Sequence, residues 1–183
     1  MKSHDEVWSS IAGYTQVPFP HGWAKDEYVL FSPRDLDGVH KALMDIIGLA
    51  SHRVVANHYG FDDDDVSNLM LTKAKDKNIF FLLNLDATQA AGAHESELLK
   101  NWKSYEGTMV AIGKSIHGAI SHLKVTVIDG LYTISGSTNL STSGESLQDN
   151  EMRITRDPLL AARYESIILL NHAAMLSQMK GNK

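Results

Sequence analysis

Between Ser121 and Asn139 the chain reads SHLKVTVIDGLYTISGSTN. Four side chains in this stretch, His122, Lys124, Ser137 and Asn139, suit chemistry on a tetrahedral anion. A lysine ammonium is a point charge for a non-bridging phosphoryl oxygen. A serine hydroxyl and an asparagine amide are neutral donors. A histidine serves near neutral pH as nucleophile or general acid. A phosphodiester needs that set. No group of metal ligands accompanies it, so charge stabilisation is assigned to side chains rather than to an ion. No metal and no cofactor is expected.

Spacing is what gathers the four groups. Asp129-Gly130 is a two-residue hairpin signal, because both central positions of such turns favour positive φ. With Ile128 opposite Leu131, Thr126 faces Thr133, Lys124 faces Ser135 and His122 faces Ser137. Asn139 continues on that face. Leu123, Val125, Val127 and Ile134 fall on the other face and suit the core.

The elements around the hairpin alternate. Tyr28–Ser32 and Arg53–Tyr59 read as strands, and Asn78–Leu85 (NIFFLLNL) as a strand buried on both faces. Helices are expected from Pro33 to about Ala50, with Leu36, Val39, Leu43, Ile46 and Ile47 inward, and from Asp62 to about Lys75. A short helix near Ser96–Ser104, a strand at Met109–Ile112 and a strand around Glu151–Thr155 follow. Asp157-Pro158 opens a last helix running to about Met179, with Leu159, Leu160, Ile167, Ile168, Leu170 and Met175 as buried candidates. The expected fold class is α/β: a mixed, mostly parallel sheet flanked by helices. Residues 1–27 read as an irregular N-terminal arm and residues 28–183 as one catalytic domain.

His122-x-Lys124-x4-Asp129 followed by Gly136-Ser137-x-Asn139 resembles the HKD signature of the phospholipase D superfamily, at every defining position. The order of elements over residues 27–175, with a first strand ending in FSP, is similar to the catalytic domain of that family, and the single motif points to its small bacterial endonuclease-like branch. The resemblance implies an orienting role for Asp129 rather than contact with phosphate. It also implies that Glu151, in QDNEMRI, hydrogen-bonds the histidine. Most lipid-cleaving members carry two motifs in one long chain; this chain has one, and His117 lacks the context of a second. The implied assembly is a homodimer with a shared active site, in which one His122 attacks phosphorus and the other protonates the leaving oxygen. The implied function is a metal-independent phosphodiesterase acting on nucleic acid. The alternatives are a phospholipid or small nucleotide diester as substrate, or a binding protein that keeps the motif without turnover.

Composition bounds these readings. The chain has 183 residues, 43% hydrophobic and 21% charged, with net charge −5 and no cysteine. That excludes disulfides and thiolate chemistry. An acidic balance weighs against non-specific coating of long DNA. MKSHDEVWSSIAGYTQ has early acids and no apolar run, so it is no signal peptide. No apolar stretch approaches the roughly 20 residues of a membrane span, and a cytoplasmic location is expected.

Four further features have plainer accounts. Asp62–Asp65 fits a helix N-terminus, where the dipole favours acids, better than an ion loop. His58 is expected as a partly buried structural histidine near the pocket. Trp102 and Tyr105, beside Lys100 and Lys103, fit one face of a short helix better than a base-stacking platform. His40, His52, His94 and His172 show no constellation.

Overall fold

The computed structural model describes residues 3–181. Seven strands form one sheet in the order β1-β7-β6-β5-β2-β3-β4. They are β1 (Glu27–Ser32), β2 (Arg53–His58), β3 (Phe80–Asp86), β4 (Val110–Gly113), β5 (Lys124–Ile128), β6 (Tyr132–Gly136) and β7 (Asn150–Arg156). The helices are α1 (His4–Ile11), α2 (Gly38–Gly48), α3 (Asp64–Lys75), α4 (Ala87–Ala90), α5 (Ala93–Leu99), α6 (Thr142–Ser146) and α7 (Pro158–Gly181). A 3-10 turn, Lys100–Tyr105, follows α5.

The sheet is mixed, but mostly antiparallel. Only the β2-β3 and β3-β4 pairs are parallel; the other four pairings are antiparallel. The expected parallel share is corrected here. A βα order makes neighbours of β2, β3 and β4, whereas β1 pairs with the last strand, far along the chain. Sequence adjacency does not choose that partner.

Period-two alternation divides the sheet between two layers of helix. Val54, Ala56, Leu83, Ile128, Ile134 and Ile154 face the larger core with α1, α2 and α3. Val55, Leu82, Val125 and Val127 face Ala161 and Ile168 of α7. Buried positions of α7 are Ala161, Glu165, Ile168, His172 and Met175, which recur at helical spacing. Of the residues expected inside α7, Leu159, Ile167 and Leu170 are exposed. The helix is apolar nearly all round, so composition alone could not say which stripe the sheet covers.

Two smaller expectations are also corrected, and the reading of Trp102 as a packing residue agrees with its burial. The stretch before β1 is not wholly irregular: α1 is closed by a Ser3–Glu6 capping box and buries Val7, Trp8 and Ile11 in the larger core. The helix expected from Pro33 begins at Gly38, and Leu36 is exposed with φ 54. The Asp35 carboxylate occupies that region instead, accepting from the backbone N–H of Phe31 and Gln16. Trp102 is fully buried and donates its indole N–H to Ser67 Oγ, so it is core and not a stacking platform.

Candidate active site

The turn at Asp129-Gly130 has φ 53 and 64, and Leu131 N–H donates to Ile128 O. That much matches the expected turn. The ladder beyond it does not: Ile128 pairs with Tyr132, Thr126 with Ile134 and Val125 with Ser135. Leu131 is a bulged third loop residue. One residue of slip moves every β6 side chain to the other face. Ile134 therefore lies with Thr126 in the larger core, and Ser135 lies opposite Val125, not Lys124. The strand β5 begins only at Lys124, so His122 and Ser137 are not a cross-strand pair.

His122 and Lys124 still meet, through the chain that enters β5. Lys124 Nζ lies 3.1 Å from His122 Nε2 and 3.2 Å from His122 O. An ammonium only donates, so Nε2 accepts with its unprotonated lone pair in this arrangement. The proton of the neutral ring is then on Nδ1. The imidazole is exposed, while Lys124 is 6% exposed. Burial lowers the lysine pKa from its ordinary value.

Tyr59 completes this pair. Its ring centroid is 4.6 Å from that of His122, and Lys124 Nζ sits 5.1 Å from the same centroid. Gln89 Nε2 donates to the Tyr59 hydroxyl, which holds the ring from behind. Sequence reasoning missed Tyr59. The only signal was its place at the C-terminal end of β2, where α/β sheets carry their ligands.

His58 lies one residue earlier, opposite Lys124 in the β2-β5 ladder. It is more enclosed than expected, 2% exposed, with Nε2 2.8 Å from Thr126 Oγ1. Burial and the positive charge of Lys124 push its pKa down to about 3. It is a neutral structural imidazole beneath the lysine.

Asn139 packs against Gly60, the residue after Tyr59. A Cβ on Gly60 would lie 3.2 Å from Asn139 Cγ, so the absent side chain lets the Asn139 amide pack closely on this turn. Leu140 O accepts from Asp62 N and Asp63 N and bridges to Phe61. The Tyr59–Gly60 turn thus touches His122 and Lys124 with one residue and Asn139 with the next. Asn139 Oδ1 is buried without a hydrogen-bond partner.

Ser137 has another task. Its Oγ donates to Asn150 Oδ1 and accepts from Glu151 N, and its own N–H donates to Glu151 O. These bonds fasten the Gly-Ser-x-Asn loop to β7. Gly136 makes the fastening possible: its φ is 146, and a Cβ there would lie 2.2 Å from Glu151 O. The expected donation by Ser137 beside His122 is therefore replaced by an anchoring role within this chain. The expected Glu151–His122 hydrogen bond is also absent among the described residues. The Glu151 carboxylate lies 3.6 Å from Arg153 Nε, beside a groove of about 670 Å³ that Ser137, Phe31 and Arg34 also line. The physical reason is register: β7 turns Met152 toward Gly136 and the core, which sends Glu151 to the opposite face.

Asp129 lies at the far end of β5, roughly 17 Å along the strand from Lys124 at ~3.3 Å per residue. Its carboxylate accepts from Ser51 N, Ser51 Oγ, His52 N and Arg53 N. Burial opposes its ionisation, but these donors outweigh that and hold its pKa below the usual value. It locks the hairpin tip to the start of β2 and so sets the β2-β5 register that places His58 and Tyr59 beside Lys124. Of the other histidines, His172 is a packing residue, bonded to Asn84 Oδ1 and Thr108 O.

A family model described as the PLD-like domain of cardiolipin synthase matches residues 43–169, more than half of the chain. The chain belongs to the phospholipase D superfamily. Its fold is similar to that of solved members. NucT from Helicobacter pylori aligns with TM-score 0.69 and 18% identity, over 81% of this chain and 96% of that one. The phospholipase D family member Nuc from Salmonella typhimurium aligns with TM-score 0.63 and 15% identity, over 80% and 94%. The phosphatidylserine synthase of Haemophilus influenzae Rd KW20 aligns with TM-score 0.59 and 14% identity, over 80% of this chain but 39% of its own. No curated protein matches the sequence. Among the described residues no helix is long and apolar enough to cross a membrane.

Proposed function

We propose that this chain is a phosphodiesterase acting on nucleic-acid phosphodiesters through a phosphohistidine at His122, in a site completed by a second copy. The observation that carries this reading is the Lys124–His122 contact. The Nε2 lone pair is held on an exposed ring by an ammonium. An arriving phosphoryl oxygen is the better acceptor for that ammonium, and its binding frees the nucleophile at the same moment.

The steps balance as follows. Nε2 of His122 forms a bond to phosphorus, and the bond to the leaving oxygen breaks. That oxygen keeps the electron pair and takes a proton from the imidazolium of His122 in the second copy. The same imidazole then removes a proton from water. The water oxygen attacks phosphorus, the P–N bond breaks, and its pair returns to His122. Lys124 and Asn139 hold the non-bridging oxygens, where each charged or oriented donor is worth ~10²–10³ in rate. No step is routed through a metal or cofactor. Two copies are needed because one chain offers one exposed signature histidine.

The test is reaction with a 32P-labelled oligonucleotide, quenched in alkaline denaturant. Label retained on the wild-type protein, lost on mild acid treatment and absent from His122→Ala supports the reading. Turnover by His122→Ala at the wild-type rate overturns it. A second reading rests on the family model and on the fold shared with a phosphatidylserine synthase. Label transfer from a phospholipid headgroup donor, with none from oligonucleotide, would move the substrate to lipid and keep the chemistry.

A further inference from the structure

The acids Asp62–Asp65 have a partner that their own segment does not reveal. Asp63 caps α3 with Oδ1, which accepts from Val66 N at 2.8 Å. Its other oxygen is left 3.8 Å from Nδ1 of His40 on α2. Glu145, in α6 just after the signature loop, brings Oε2 to 2.7 Å from the same nitrogen. One ligand atom from each of His40, Asp63 and Glu145 lies within 4.8 Å of the others. Two donors on one tetrahedral Zn2+ sit ~3.4 Å apart for bonds of about 2.0–2.2 Å. The observed separations bracket that value.

Charge makes the same demand. Glu145 is 2% exposed and its Oε1 is buried with no partner; Asp63 is 6% exposed. One imidazole can pair closely with only one of these two buried carboxyl groups, and Glu145 Oε1 is left without a partner. A divalent ion with a neutral His40 balances both and takes the orphaned oxygen. The opposite nitrogen is prepared as well: His40 Nε2 lies 3.8 Å from Asp65 Oδ2. A histidine that ligates through one nitrogen commonly donates its other N–H to a carboxylate, which fixes the tautomer.

We propose that His40, Asp63 and Glu145 form a site for one divalent transition-metal ion, Zn2+ by its ligand chemistry, that ties α2, α3 and α6 together. An imidazole with two carboxylates favours Zn2+ over the hard, all-oxygen cations. The ion is structural. It clasps the turn that follows Asn139, since Leu140 O is already bonded to Asp62 N and Asp63 N. It takes no part in the phosphoryl steps.

The experiment uses the full chain, stripped with a chelator and dialysed. Zn2+ is titrated against a chromophoric competitor, and Co2+ is added to a second sample for its visible spectrum. The expected result is one Zn2+ per chain, a raised Tm on loading, and a four-coordinate Co2+ band. His40→Gln and Glu145→Gln are expected to bind at least about ten-fold more weakly, and Asp65→Asn about ten-fold more weakly. His94→Gln, at the exposed His94–Asp64 pair, keeps wild-type affinity. No stoichiometric uptake by the wild type overturns the proposal, as does uptake unchanged in both ligand variants. If those variants do not fold, the wild-type Co2+ spectrum decides: weak octahedral bands alone overturn the site. These readouts are binding and melting, so they stand whether or not the chain cleaves phosphodiesters.

Discussion

Replacing Lys124 by methionine should separate activity from stability. The ammonium is nearly enclosed, and burial lowers its pKa. Taking an ion out of water costs several kcal/mol. Against that stand two hydrogen bonds, to His122 Nε2 and His122 O, at ~1 kcal/mol each. The cation–π contact with Tyr59 adds ~1 kcal/mol. The sum is close to zero, and methionine fills the same volume without the desolvation. Lys124→Met is therefore expected to be neutral or up to ~2 kcal/mol more stable in urea unfolding at pH 7. Its kcat on a chromogenic phosphodiester is expected to fall by ~10²–10³-fold, or ~2.7–4 kcal/mol. The pH dependence gives a second reading. A lysine pKa that is lower folded than unfolded means that the unfolded state binds more protons between the two values. Wild-type stability then rises with pH through that alkaline window, relative to Lys124→Met, and below the window the difference between the two is constant. A variant that loses more than ~2 kcal/mol of stability while keeping its rate within ten-fold would refute the reasoning, since the lysine would then be a strut and not a phosphate ligand.

Tyr59→Leu removes the ring shared by His122 and Lys124 while filling part of its space; kcat is expected to fall about ten-fold with KM nearly unchanged, and Tyr59→Phe, which keeps the ring, should recover most of it. Gly136→Ala forces a Cβ to 2.2 Å from Glu151 O at a φ of 146, so a loss of ~3 kcal/mol or more is expected in thermal or urea unfolding, along with loss of activity. Burial pushes Glu95 up to about 7, with the hydrogen bond from Phe61 N opposing. The folded protein therefore binds a proton that the unfolded chain releases from its ordinary value of 4.5, and stability from this group falls as pH rises from there toward 7. Glu95→Gln, whose amide oxygen can still accept from Phe61 N, is expected to match wild type at pH 5 and to exceed it at pH 8 in melting temperature.

Much of this site lay open in the one-dimensional pattern because its parts are local. His122 and Lys124 are two residues apart, and Asp129-Gly130 needs only its own positive φ values to turn the chain. Gly136 and Asn139 stand at a spacing that the loop must keep. The resemblance to the family was legible in those same short-range relations, and so was the early βα order of β2, α3 and β3.

Long-range pairing settled the remainder. A single bulged residue, Leu131, moved β6 by one position and took Ser135 and Ile134 to the opposite faces from those a two-residue turn implies. Alternation along one strand cannot reveal such a slip, because the apolar residues of β5 are buried on both sides. Tyr59 and Gly60 joined the site only when β2 paired with β5, from more than sixty residues away. The partners of Glu151 and Ser137 depended on β7 lying between β1 and β6, and the meeting of His40, Asp63 and Glu145 depended on three helices packing at one point. Residue types and short spacings carry chemistry in the sequence itself. Which of those groups touch is a property of the sheet register and of helix docking, and both are set by the burial of apolar surface over the whole chain.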